Sequence, residues 1–326
     1  MSYQQNKIKM VKRPIYQSQL YKAQQGVVII VALFIVALVA TMAYIMMARL
    51  SRDTERTALL LRDNTAEFYA QGSIAWAIDQ LRNDFDQQKK DQVMDRVPIH
   101  SPIDIVNDYK IESTILDIQS RFNLNNLTDV SAQEDFKRLL RVVDAKLSEE
   151  KAREIVRATF SWITPSQNEL DQYYLTLPTP YRAAKKPMFD ASELRLVKGM
   201  TPALFEAIKP YVIALPLSNA TINIQTAPLP VLMMLSPSMT MEVAKLIMEQ
   251  RITKPFLSVP QFSDWEVVKN QGISPTKITV SSDYFLVETN VSVENQHLLL
   301  YTLLKRLKKN NNKALVVPLW QSKASW

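Results

Sequence analysis

The chain has no cysteine, which excludes a disulfide framework, a thiolate metal site and a cysteine nucleophile. Glycine is almost as scarce. The four glycines, at 26, 72, 199 and 272, are isolated from one another, so neither a Gly-rich phosphate loop nor a G-x-G-x-x-G fingerprint can be built. Histidine is confined to His100 and His297, in a predicted loop and a predicted strand, and no H-E-x-x-H, Cys/His cluster or G-x-S-x-G exists. Proline is missing between Pro14 and Pro98, and acidic residues are missing from the first 26 positions.

Those last two absences frame the most informative stretch. Val27 to Ala48 is an apolar run of 22 residues without a charge, ending at Arg49. At 1.5 Å per residue it makes a helix of about 33 Å, enough to cross a hydrocarbon core of roughly 30 Å. Ahead of it stand Lys7, Lys9, Lys12, Arg13 and Lys22. Positive residues stay on the cytoplasmic side, which predicts an inside N-terminus and an outside body. A secretory signal cut near Ala43 or Ala48 would be unusually long; a plain single-span anchor fits the same length and charges.

With no proline to stop it, the helix is predicted to continue from Val27 to about Lys90, on the order of 95 Å. Leu61, Thr65, Phe68, Gly72 and Ala75, followed by Leu81 and Phe85, form the stripe expected to face a core. The net charge of +7 is carried by the ends. Removing the +5 of the first 26 residues and the +6 of residues 305–326 (Lys305, Arg306, Lys308, Lys309, Lys313, Lys323) leaves −4 for residues 27–304. A mildly acidic body does not suit a nucleic-acid binder.

Beyond the break at Pro98–Pro102, Tyr109 to Ile118 alternates as a strand and runs into Phe122-Asn123-Leu124-Asn125-Asn126-Leu127, an Asn-rich turn suited to side-chain to backbone hydrogen bonds. Glu134–Leu147 and Glu149–Ile163 read as helices, with Ser131 and Ser148 as N-caps. Residues 162–187 read as loop, 192–211 and 230–251 as helical. Ile278–Val280, Tyr284–Val287, Asn290–Val293 and Leu298–Leu304 read as strands. A strand, a helical block, then strands implies a helical domain inserted into an antiparallel sheet, with residues 105–127 and 277–304 as neighbours. The stretches from Leu194 and from Leu232 form a weak repeat similar to helix-hairpin-helix units. Their hairpins, Lys198-Gly199-Met200 and Pro237-Ser238-Met239, lack the paired glycines that let backbone N–H groups approach a phosphate.

A basic leader, Gly26 before an apolar helix, and an amphipathic continuation resemble a type IV pilin or pseudopilin. The resemblance implies cleavage by a prepilin peptidase after Gly26, leaving Val27 as the new N-terminus. Most of that family carry a glutamate at the fifth mature position, where it pairs in lipid with the terminal amine of the subunit ahead. Here that position is Val31, as suits a first subunit with no amine to meet, because an unpaired carboxylate at that depth is costly. The leader of 26 residues is long for the family, and Met10 is a second candidate start.

The missing glutamate, the Phe122–Leu127 motif, Tyr181-Arg182-Ala183-Ala184, Met188-x-Asp190-x-Ser192-Glu193-Leu194 and Ser282-Asp283-Tyr284-Phe285 narrow the resemblance to minor pseudopilin K of type II secretion. It covers nearly the whole chain. It implies an α+β fold, with a pilin-like long helix packed on a small antiparallel sheet and a large inserted α-domain holding two helix-hairpin-helix-like units. The expected boundaries are a leader at 1–26, a transmembrane helix at 27–48, and an amphipathic helix with the first part of the sheet at 49–130. The α-domain follows at 131–275, the rest of the sheet at 276–304, and a solvated basic tail at 305–326.

The resemblance further implies a non-enzymatic role. The protein would cap a pseudopilus tip with other minor pseudopilins (I and J types, then H) and initiate assembly for protein export. Its partners would include the major pseudopilin, the prepilin peptidase and the inner-membrane secretion platform, with no nucleic acid. The chain would be a single-pass protein of a bacterial inner membrane, its globular part periplasmic. Family members also carry a calcium site in an acidic loop after the tryptophan. The matching stretch here, Trp162 to Tyr174, is shorter and keeps only Glu169 and Asp171, which with the oxygens of Ser166, Gln167 and Asn168 could form a weak calcium site, beside the alternative of a polar loop with no ion. Two alternatives stand beside this reading. One is a membrane-anchored helix-hairpin-helix protein that binds DNA in an uptake or type IV pilus system, distinguishable by salt-dependent duplex binding. The other is an anchored periplasmic hydrolase with a Ser–His–Asp triad drawn from distant positions.

Overall fold

The computed structural model describes residues 17–91, 98–165, 169–294, 296–308 and 314–323. The leader's first 16 residues, the oxygens of Ser166, Gln167 and Asn168, and Lys309 to Lys313 lie outside them. The chain divides into two units, residues 1–65 and 66–326.

Helix α1 (Gln17–Asp91) runs through both. In the first unit, the side chains from Val27 to Leu50 are exposed almost without exception. Thr41, Thr54 and Thr57 return their hydroxyls to carbonyls one turn back, so the polar atoms of the helix are satisfied along its own length.

In the second unit, the buried stripe of α1 is Ala66, Ala70, Ile74, Ala77 and Leu81. Four of the five sit off the predicted stripe. Phe68 is 74 % exposed and Gly72 and Ala75 face outward. Side-chain size misleads here. Alanines let the helix axis approach the sheet closely, while Phe68 lines a groove with Trp76 and Ile103.

The sheet under that stripe contains β1 (Ile99–His100), β2 (Asp104–Val106), β3 (Tyr109–Asp117), β8 (Tyr284–Val293), β9 (Gln296–Lys308) and β10 (Ala314–Ser322). Its order is β1-β3-β8-β9-β10, with β2 on β3 beside β1, and every pairing is antiparallel. Asn107 and Asp108, at φ 50 and 69, make the two-residue turn from β2 to β3 that matches the twist of the hairpin. The expected neighbours do pair: Lys110 faces Ser292 and Asp117 faces Phe285 across β3 and β8. Ile111, Ile115, Phe285, Val287, Val291, Leu300, Leu304 and Val316 complete the core under α1.

Residues 305–326 are not a solvated tail. Lys305 to Lys308 continue β9, and Ala314–Ser322 adds strand β10. Within β10, Val316 is buried. Gln321 and Gln71 exchange amide hydrogen bonds, and Lys323 Nζ lies 2.7 Å from Glu67 Oε2, tying β10 to α1. Arg306, counted above as tail charge, is 2 % exposed and donates to the Ser282 carbonyl at 2.7 Å.

Between β3 and β8 lies a helical region with its own core. It holds β4 (Phe122–Asn123), a 3₁₀ turn (Leu124–Thr128), α2 (Val130–Val143), α3 (Glu149–Ile163), α4 (Glu169–Leu175), a second 3₁₀ turn (Ala191–Leu196) and α5 (Pro202–Ile208). After these come β5 (Val212–Ile213), β6 (Ile222–Asn223), α6 (Leu229–Met234), α7 (Met241–Thr253), α8 (Val259–Ser263) and β7 (Ile278–Thr279). The pairs β4–β5 and β6–β7 are parallel. The expected loop at 162–187 contains α4. The N-cap of α2 is Asp129 rather than Ser131, whose N–H and hydroxyl both donate to Asp129 Oδ1 at 2.6 Å. Ser148 caps α3 as expected, accepting from Lys151 N. Lys277 Nζ reaches Asp135 Oδ2 at 2.5 Å, and Arg138 pairs with the same carboxylate, so the two ends of the region are joined by charge.

Candidate functional site

Three places carry side chains whose arrangement exceeds what packing alone requires. The first is the start of the apolar run. Gly26 is helical and exposed, and a Cβ there would meet nothing within 4 Å. Glycine inside a helix costs roughly 0.5–1 kcal/mol relative to alanine, and nothing in the helix offsets it. The fold therefore gives no reason for this glycine. Val27 and Val31 are 62 % and 50 % exposed, and the described residues contain one helix long and apolar enough to cross a membrane.

The second place is the junction between the sheet and the helical region. Asn125 Nδ2 donates to the carbonyls of Met188 and Leu215 at 2.9 and 2.8 Å, while Oδ1 accepts from Met188 N at 2.8 Å. Asn123 Nδ2 donates to the Leu217 carbonyl and Oδ1 accepts from Leu215 N. Asn126 Nδ2 donates to the Ala220 carbonyl and Oδ1 accepts from Ala220 N. The turn bonds locally as expected, Asn123 Oδ1 accepting from Asn125 N, and it also brackets the backbone of two distant loops. One step toward the sheet, Asp117 accepts from Gln119 N, Asn223 Nδ2 and the Thr226 hydroxyl. Burial pushes the Glu288 carboxyl above its usual range, opposed by the facing Arg121 guanidinium, and burial lowers Arg121 in turn.

The third place is the stretch after Trp162. Asp171 Oδ1 lies 2.6 Å from Lys185 Nζ. The same ammonium donates to the Ser161 carbonyl at 3.1 Å and the Ser161 hydroxyl at 3.4 Å. Glu169 opens α4. Among the described residues, no three His, Asp or Glu side chains gather as metal ligands do. In β1, His100 Nδ1 lies 3.1 Å from Oγ1 of Thr114 on β3, and His297 sits on β9.

Two segments of the chain match the family described as Type II secretion system (T2SS), protein K, over residues 120–217 and 222–282. A type II secretion system protein K of Pectobacterium carotovorum subsp. carotovorum is 30 % identical over 305 residues, covering 83 % of this chain and 89 % of that protein. The chain belongs to the type II secretion system protein K family. The Klebsiella pneumoniae protein K is 26 % identical over 304 residues, covering 87 % of this chain and 93 % of its relative. In Pseudomonas aeruginosa the identity is 28 % over 309 residues, with 88 % and 90 % covered. A chain from the crystal structure of the GspK–GspI–GspJ complex of enterotoxigenic Escherichia coli superposes with a TM-score of 0.70 at 24 % identity, covering 83 % of this chain and all of that one. That likeness shows the fold: long helix, antiparallel sheet and helical region.

As a protein K, the chain is a minor pseudopilin, a structural component of the secretion machinery. The DNA-binding alternative finds no support. Gly199, at φ 88, is exposed, and a Cβ there would stand 3.0 Å from Ile155 Cγ1, so this glycine is explained by the close approach of the first hairpin to α3. In the second, the hydroxyls of Ser236 and Ser238 both donate to the Gln271 carbonyl. Of the calcium ligands implied by the resemblance, Asp171 is paired with the Lys185 ammonium, and Ser166, Gln167 and Asn168 lie outside the described residues. The asparagine bracket, the buried Arg306 and the Lys185 contact were not singled out from sequence. Only the first had a signal there, in the Asn-x-Asn-Asn spacing.

Proposed function

We propose that this protein K stands first in the pseudopilus, joined by minor pseudopilins of the I, J and H types, and starts the assembly that the major pseudopilin continues. Val31 is the observation that carries the reading. A subunit entering beneath another needs a carboxylate there to meet the amine ahead, and a first subunit does not. The relative whose fold it shares was crystallised with the I and J proteins, which supports the choice of partners. Gly26, unexplained by the fold, supports recognition by a prepilin peptidase that cuts before Val27 and needs close access to the backbone. The basic leader and the exposed apolar run support a single-pass anchor in the inner membrane, N-terminus inside and body periplasmic. Within the helical region of about 131–275, the two helix-hairpin-helix-like corners serve packing, and that region is bulk added to a pilin-type helix and sheet.

Site-specific crosslinking within assembled pseudopili tests the position. One labelled copy at one end is expected; labelling repeated along the shaft would remove the assignment.

A further inference from the structure

Asp171 is the carboxylate that a calcium ion in the loop after Trp162 would require, and its surroundings show what holds it. The Lys185 ammonium forms an ion pair with it, Nζ lying 2.6 Å from Asp171 Oδ1, and donates to the Ser161 carbonyl at 3.1 Å and the Ser161 hydroxyl at 3.4 Å. Its position is fixed by the backbone as well. Lys185 N donates to the Trp162 carbonyl at 2.8 Å, and Lys185 is held at φ 54. A non-glycine side chain tolerates that conformation at a cost, and it persists where surrounding contacts over-determine it. Two elements are thereby joined to a third: the end of α3, the first turn of α4, and the strap leading to Met188.

Calcium takes six to eight oxygens at 2.3–2.6 Å, and a cation at the Asp171 carboxylate would have to displace the ammonium from these partners. We infer that Lys185 is a built-in cation, fastening this loop in the way a bound calcium would, and that the chain therefore folds and keeps its strap in place independently of calcium.

Thermal unfolding and limited proteolysis of the full chain in detergent, in excess EDTA and in millimolar calcium, test this. The wild-type melt is expected to coincide in the two conditions. An upward shift of about 3–6 °C specific to calcium over magnesium, the size a site tenfold saturated would give, would overturn the inference. Lys185→Met keeps the stem and removes the charge. It is expected to lower the melt and open residues 164–190 to protease in EDTA, whether or not calcium then restores protection. A Lys185→Met protein that melts and resists protease like the wild type would show that the ammonium fastens nothing. Should that variant fail to fold, Asp171→Asn gives the same reading, and the wild-type calcium comparison stands alone.

Discussion

Gly72 and Gly199 show how differently one residue type can be used. Gly72 sits inside α1 with open space where a Cβ would go. Gly199 sits at φ 88 with Ile155 Cγ1 3.0 Å from that point, in a conformation costing an L-residue roughly 1–2 kcal/mol. Alanine at the two positions should act in opposite directions. Gly72→Ala should stabilise by about 0.5–1 kcal/mol, and Gly199→Ala should destabilise by at least about 1–2 kcal/mol; equilibrium unfolding of each variant in detergent gives both signs. The sequence marks Gly199 as a hairpin residue and Gly72 as part of a helical stripe, but it does not show the close approach of Ile155 or the open space at Gly72. The same holds for Arg306. A lysine-rich neighbourhood reads as solvated, yet this arginine lies under the sheet's end, its guanidinium 4.8 Å from the Phe285 ring centroid and bonded to the Ser282 carbonyl.

Among the elements, α3 was legible because periodicity and its Ser148 cap agree, α2 through periodicity alone, and β3 because it alternates strictly. What failed was weighting. Phe68 outweighed three alanines in the stripe of α1, and six positive charges outweighed the Val316–Val317 pair in β10. The asparagine motif was legible as a motif, but its partners at Met188, Leu215 and Ala220 depend on a tertiary fold that spacing does not encode. The start of α2 gives a prediction of its own. Hydrogen bonds from the Ser131 side chain and backbone hold the Asp129 carboxyl below its usual range. A depressed folded-state pKa adds stability above the unfolded value, near 3.9, and that stability is lost as pH falls through the folded value. Asp129→Ala should cost about 1 kcal/mol at neutral pH, with the gap from wild type closing in acid. Melts recorded from pH 7 to pH 3 check it; a gap independent of pH would mean the charge contributes nothing.

For the whole molecule, the apolar run and the family's place in a secretion machine meet at Val31. Val31→Glu puts a carboxylate in the second turn of the apolar run, with no amine ahead in the proposed first position, at a cost of at most about 2.5–3.5 kcal/mol, the figure for a helix centre. Membrane insertion should survive while pseudopilus initiation falls. Counting pseudopili in cells carrying the variant, beside its level in membrane fractions, separates the two. Normal numbers of pseudopili would mean that the position is indifferent to charge.

The sheet's central pair has a consequence for how the chain acquires its shape. Asp117 and Phe285 face each other across β3 and β8, yet roughly 170 residues separate them, and closing a flexible loop of that length costs about 4–5 kcal/mol before any constant term. Until the helical region condenses, β8 has no means of finding β3. Once that region has folded, its two ends lie side by side, with Lys277 on Asp135 and Asn223 on Asp117, and the loop to be closed shrinks to a few residues. The helical region is synthesised before β8, β9 and β10. The insert thus serves as the template on which the sheet's second half is laid down, and a lesion in its core would be felt first as a sheet that closes late.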